Sequence, residues 1–206
     1  NHRWPPTYRF VHCTQSNILF KAAGINPHQD CFRTKYGLMS EHFPEFSCLV
    51  ETLTAGVVAP SDKKEDVNWE LLKKACRSDG LLLKPDVPLT ANDLMFTKHR
   101  HYYACDTHTA RKDWKWRYLL FMNLWPKRAK ETMISAKELG FDEEEYVLHD
   151  YYQDILMKLS NEEPIRIGNL NKYEYKYYVI APIHENGMAL IGCPDKFVTC
   201  SRKQFP

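Results

Sequence analysis

The sequence is notable first for what it lacks. Its seven cysteines include no Cys-x-x-Cys pair, so neither a zinc ribbon nor a thioredoxin-like redox site is indicated. No apolar run is long enough to cross a bilayer; the longest, such as Tyr118 to Met122, stop after a few residues. No secretory leader is legible at the start, and the first residue is Asn1 rather than Met. The chain is therefore expected to be a processed product or part of something longer. Charge of one sign is also missing. The 28 basic and 26 acidic residues are spread along the chain for a net +2, so the concentrated basic face of a nucleic-acid binder is not expected. There is no internal repeat and no low-complexity segment.

What is present divides near residue 90. The first part alternates helical patterns with short apolar runs. A helix is expected over Thr7–Ala23, stopped by Gly24, and a second over Phe46–Thr54 behind Pro44. A third is expected over Asp66–Ser78, capped by Asp66 or Asn68, with Trp69, Leu72 and Cys76 on one face. Gly56–Ala59 reads as a buried strand and Leu81–Leu83 as another, an alternation typical of parallel α/β units. With only two or three such strands, a doubly wound sheet or a barrel would be incomplete. From about residue 102 the pattern changes to short runs rich in Tyr, Val, Ile and Phe. These are His101–Thr109, Trp116–Asn123, Tyr146–Tyr152, Pro164–Ile167, Tyr175–Ile183, Met188–Gly192 and Phe197–Ser201. Asn186-Gly187 between two of them is a hairpin signal, and the set suggests an antiparallel sandwich.

Several residue groupings invite chemistry. His99, His101, Cys105 and His108 are metal-ligand types, but His108 would face away from the other three on a strand. The basic and aromatic alternation of residues 111–123 reads better as a sandwich strand, with Trp114 and Trp116 on one face and Lys115 and Arg117 on the other, than as a nucleic-acid stacking platform. Glu143–Glu145 reads as a solvated turn. The seven cysteines read mostly as buried thiols, with a Cys193–Cys200 bridge as an alternative. Ser61 and Asp62, where the 56–59 run ends, are either ligand contacts or a turn and a helix cap.

Residues 52–96 carry a resemblance. Gly56, Val58 and Ser61-Asp62, then Asn68, Leu71-Leu72-Lys73-Lys74 and Asp79-Gly80, resemble the corresponding stretch of the raffinose synthase and alkaline α-galactosidase family of glycoside hydrolases. Weaker matches keep the same order: Pro27-His28-Gln29-Asp30, Pro88–Phe96, Gly187–Gly192 and Lys196-Phe197-Val198 with Ser201. The resemblance implies α/β plus all-β architecture: the C-terminal part of a (β/α)8 barrel over residues 1–88, followed by an antiparallel β-sandwich over 89–206. It implies an α-galactoside-like carbohydrate as partner, together with the upstream barrel half of the same protein, and no nucleic acid, membrane, metal or cofactor. Asp30, Ser61 and Asp62 would stand at strand ends facing the sugar, where barrel active sites lie. Trp4 would be a stacking platform, or else a core residue. A retaining glycosidase needs two carboxyl groups about 5–5.5 Å apart, and no residue here matches either of the family's catalytic aspartates. The chain alone is thus expected to be inactive. The other reading is a non-catalytic carbohydrate-binding or structural β-sandwich protein.

Overall fold

A computed structural model describes residues 6–37, 42–97, 102–125, 127, 129–141 and 145–204. Trp4, His99, His101 and Glu143 lie outside these. The chain forms two compact units. One comprises the segment up to Thr90 together with the segment from Gly192 onward; the other is Ala91–Ile191.

The first unit begins with α1, Pro6–Ala22, ended by Gly24 at φ +70°. This helix buries a narrow stripe at Phe10, Thr14 and Asn17, whereas Ile18, Leu19 and Phe20 stay exposed. Polar bonds accompany the buried stripe. Thr14 Oγ1 donates back to Phe10 O at 2.8 Å, and Asn17 Nδ2 donates to Leu89 O at 2.7 Å. Helix α2, Pro44–Leu53, starts with proline at its first position, where no N–H is needed. It buries Phe46, Leu49, Val50 and Leu53, and Phe46 meets Phe10 edge to face at 5.2 Å.

The third helix is shorter than its periodicity suggests. A 3-10 turn at Lys64–Asp66 precedes α3, Trp69–Lys73. Asn68 is the cap, its side chain accepting from Leu71 N. The buried face is Leu71 and Ala75, and Trp69 is exposed. Leu81–Leu83 is not a parallel strand. Leu82 bridges Cys76 in antiparallel sense, around a turn at Asp79-Gly80 that gives Gly80 a φ of +84°. Leu83 N donates to Ala75 O at 2.9 Å. Phe32 and Pro60 form an isolated parallel bridge. Val57, expected in a buried strand, is half-exposed. Residues 192–204 also fold back here: Phe197 N donates to Lys74 O at 2.8 Å, and Phe197 and Val198 are fully buried.

The second unit is sheet, entered at Ala91, the second residue of its first strand. Its strands are β1 Thr90–Ala91, β2 Tyr103–Arg111, β3 Trp114–Met122, β4 Thr132–Ile134, β5 Glu145–Asp150, β6 Ile155–Ser160, β7 Ile165–Ile167 and β8 Tyr175–Pro182. A short helix α4, Leu94–Thr97, follows β1. Six strands form one sheet in the order β1-β2-β3-β8-β5-β6; β4 and β7 pair separately. The pairings β2–β3, β3–β8, β8–β5 and β5–β6 are all antiparallel. Ile134, Ile165 and Ile167 of the small sheet share one buried cluster with Leu119, Phe121, Tyr146, Leu148, Tyr178 and Ile180 of the large one. Alternation along β3, β5 and β8 sends every second side chain into that cluster. This two-layer packing is compatible with a β-sandwich.

Asn186-Gly187 does turn the chain, with His184 N donating to Met188 O at 2.8 Å and Gly187 at φ +77°. No strand follows: Met188–Gly192 and Phe197–Ser201 run as irregular chain. The β2–β3 hairpin instead turns at Lys112-Asp113, with Lys112 at φ +51°. That hairpin carries no Asn-Gly signal.

Candidate functional site

The three described candidate residues all lie in the first unit, around the parallel bridge of Phe32 with Pro60. Phe32 N donates to Ala59 O at 3.2 Å and Ser61 N to Phe32 O at 2.8 Å, so residues 30–34 and 58–62 run side by side in the same direction. The approach begins earlier, where Gly56 lies against Pro27. A Cβ at Gly56 would collide with the Pro27 carbonyl oxygen and lie 3.0 Å from its carbon. Glycine is needed there for close backbone approach rather than for a special φ. Glu51, buried on α2, holds the second segment by accepting Ala59 N at 2.8 Å.

Past the bridge the polar side chains interlock. Both carboxylate oxygens of Asp62 accept the Thr34 N–H, at 2.9 and 3.2 Å. Thr34 is buried, and its hydroxyl accepts Asn68 N at 2.8 Å. Asn68 in turn caps α3. The chain of bonds thus runs from Asp62 through Thr34 to the start of a helix. The Arg33 guanidinium donates to Ser61 O, and Ser61 Oγ donates to Phe32 O at 3.1 Å. Asp30 is exposed, with its carboxylate accepting the Cys31 N–H at 3.0 Å.

The structure therefore brings Ser61 and Asp62 together with residues 32–34 at one end of the paired segments, with Asp30 two residues before the bridge. The helix-cap role weighed for Asp62 falls to Asn68, and the turn role weighed for Ser61 corresponds to its bond to Phe32 O. Each oxygen of an ionised carboxylate has two lone-pair positions. Asp62 is half-buried and retains acceptor capacity beyond Thr34. Sequence reasoning missed Arg33, Thr34 and Glu51. The Pro27–Asp30 match ended just short of Arg33 and Thr34, Glu51 lies outside it on α2, and nothing in their spacing marks them.

The other groupings resolve as packing. Trp114 and Trp116 stack at 5.7 Å, His184 stacks on Trp114 at 5.2 Å, and the Trp116 indole donates to Leu190 O at 2.6 Å. Arg117 is buried, with its guanidinium 4.3 Å from the Phe141 ring centre. Among the described residues no cluster of three or more His, Cys, Asp or Glu side chains could hold a metal ion. All seven cysteines are free thiols. Burial pushes the Cys48 and Cys200 thiols up to about 12, which removes both as nucleophiles near neutral pH.

No known protein-family model matches the chain, and no curated protein matches it. Among solved structures it is similar to a candidate α-N-acetylgalactosaminidase from Bacillus halodurans C-125, at 13% identity and a TM-score of 0.47, over 68% of this chain and 30% of that one. The chain therefore spans less than a third of that protein's length.

Proposed function

We propose that this chain is part of a glycoside-hydrolase-like protein of the α-galactosidase and raffinose-synthase type, and that the paired ends of residues 30–34 and 58–62 contribute to an α-galactoside-binding surface. The observation that supports this most is the bridge between Phe32 and Pro60, which sets Asp62, Ser61 and Asp30 at neighbouring parallel chain ends. Carboxylates there accept hydrogen bonds from sugar hydroxyls, and the Thr34 tether fixes one of them in advance, which lowers the ordering cost of binding. In this reading the first unit is the closing part of a (β/α)8 barrel, and the upstream barrel half supplies both catalytic aspartates for retaining chemistry. The chain by itself binds without hydrolysing, and no metal or cofactor takes part.

Titration with methyl α-galactoside followed by amide NMR tests the proposal. Expected are saturable shifts at Thr34, Ser61 and Asp62, abolished by Asp62→Ala, with no release of methanol. Equal shifts with an unrelated sugar alcohol, or shifts confined to Ala91–Ile191, would overturn it. The latter outcome would favour the reading in which the β-rich unit is a carbohydrate-binding module.

A further inference from the structure

Asn186-Gly187 is the one Asn-Gly pair in the sequence, and its geometry does more than turn the chain. Both residues are exposed. The backbone closes around them twice: His184 N donates to Met188 O at 2.8 Å, and Gly187 N donates to His184 O at 2.8 Å. The Asn186 side chain folds forward across Gly187, its Oδ1 accepting Met188 N at 3.0 Å, an Asx turn. Gly187 presents no side chain to this amide, and even a Cβ there would meet nothing within 4 Å. Other asparagines differ. Asn92 and Asn123 are buried and bonded, and Asn161, which accepts Lys137 N, is followed by a glutamate.

We propose that Asn186 is a site of self-modification, at which the Gly187 main-chain nitrogen displaces the side-chain amide as ammonia and water then reopens the ring. Gly187 N attacks Asn186 Cγ as its proton is lost. The N–Cγ bond forms, negative charge collects on Oδ1, and the Cγ–Nδ2 bond breaks. The amide nitrogen leaves as ammonia with the proton that Gly187 gave up, and the product is a five-membered cyclic imide. Met188 N–H already points at Oδ1, where that charge develops, and so serves as an oxyanion donor. The Asx turn also holds electrophile and nucleophile together before reaction, which lowers the entropic cost of ring closure. Water adds to either imide carbonyl. One opening leaves an aspartyl residue; the other leaves an isoaspartyl residue, whose Cβ joins the main chain. No oxidant, metal or second protein is needed.

The isoaspartyl product has a consequence at the aromatic stack. It lengthens the backbone by one carbon inside a turn closed by two hydrogen bonds, and His184 supplies a group to both. The His184 ring is stacked on Trp114 at 5.2 Å, and Trp114 on Trp116 at 5.7 Å. Loss of the turn releases His184 and uncovers the outer face of Trp114, so the reaction acts as a slow, one-way switch at this end of the sheet unit.

Peptide mass spectrometry of the whole chain, aged in heavy-oxygen water, tests this. The peptide holding Asn186 should exchange its amide nitrogen for one heavy oxygen and resolve into aspartyl and isoaspartyl products of equal mass. Conversion should quicken with rising pH, following hydroxide, and the folded chain should convert at least as fast as an isolated peptide of residues 184–190. Asn186→Gln, which needs a larger ring, should slow conversion by about tenfold or more. In the isoaspartyl product, amide exchange at His184 and Gly187 should quicken and tryptophan emission should shift, with Tyr177–Ile180 unchanged. Asn186→Asp adds the charge without the extra carbon and should do neither. Slower conversion in the folded chain than in the isolated peptide would overturn the site. An isoaspartyl chain with His184 still protected would overturn the switch.

Discussion

Replacing Gly56 by Ala should loosen the candidate site without touching the sheet. The added methyl carbon would lie inside the Pro27 carbonyl oxygen, 3.0 Å from its carbon and 3.4 Å from His28 Cα. All three are backbone atoms, so no rotamer change relieves the overlap; residues 27–28 and 56 must separate by about an ångström. Overpacking of this kind costs about 1–3 kcal/mol and more where the backbone itself must move, so about 3 kcal/mol is expected for unfolding of the first unit. The separation is transmitted three residues along to the pairing of Phe32 with Ala59 and Ser61. Urea unfolding gives the total, and native-state exchange locates it. Faster exchange is expected at Phe32, Thr34 and Ser61, whose N–H groups make the bonds that open. Exchange at Tyr177–Ile180, in the centre of the large sheet, should not change. A loss below about 0.5 kcal/mol, the usual size for an uncrowded surface change, with Phe32 and Ser61 still protected, would refute the close approach and with it the geometry proposed for binding.

Other perturbations separate holding residues from displayed ones. Asp62→Ala removes the acceptor for the Thr34 N–H and should cost about 1–2 kcal/mol, whereas Asp30→Ala should stay within about 0.5 kcal/mol; paired urea melts decide. Alkylation of the folded protein near neutral pH should modify exposed Cys193 first and leave Cys48, Cys105 and Cys200 intact, read by peptide mass spectrometry. Stability should fall on the alkaline side. The Cys48 thiol ionises from an ordinary 9.0 in the unfolded chain but only near about 12 in the folded one. The unfolded state thus releases its proton first, and stability is full below pH 9.0 and declines above it. Burial also moves the Tyr102 hydroxyl from 10.0 to about 12 and raises Tyr177 and Tyr178, which steepens the decline. A melting temperature that rises between pH 9 and 11 would contradict these assignments.

The sheet unit was the more legible half, and the reason is periodicity. In Tyr103–Arg111, Trp114–Met122 and Tyr175–Pro182 the strand pattern is carried by β-branched and aromatic residues that pack on a pleated surface, and tertiary structure supports what each segment prefers locally. β6 went unread because Ile155-Leu156-Met157 does not alternate: an edge strand with both faces open gives no period-2 signal. β4 is three residues long, too short for any period. The first unit misled in the opposite direction. Leu81–Leu83 is apolar enough for a parallel strand, but Asp79-Gly80 is a tight reversal and sends it back antiparallel along Ala75–Arg77. In α1 the apolar Ile18, Leu19 and Phe20 stay exposed, while Asn17 holds the helix through a bond to Leu89 O that no hydrophobic pattern encodes. At the candidate site, Ser61-Asp62 stood out because two polar residues end an apolar run. Arg33 and Thr34 did not, since their role comes from a partner 28 residues away.

The exposed apolar residues of the first unit bear directly on the proposed barrel. Leu19 is 75% exposed, Ile25 51% and Val57 50%, and Val57 lies within the run that leads to Ser61-Asp62. A parallel segment is ordinarily covered on both faces, because parallel pairs are less stable and are found inside α/β layers. Here one parallel bridge stands almost alone, and Val57 faces water beside it. Burying a valine or leucine side chain is worth about 1.5–3 kcal/mol, so three such positions represent several kcal/mol that this chain does not realise by itself. The proposal assigns that surface to the upstream barrel strands. It follows that adding the upstream half should protect Val57 and Leu19 while leaving the Thr34–Asp62 tether unchanged, since Thr34 is already buried and bonded. If Val57 remained open to exchange and to solvent probes in the longer protein, the first unit would be a finished domain with an apolar surface, and the barrel reading would fail.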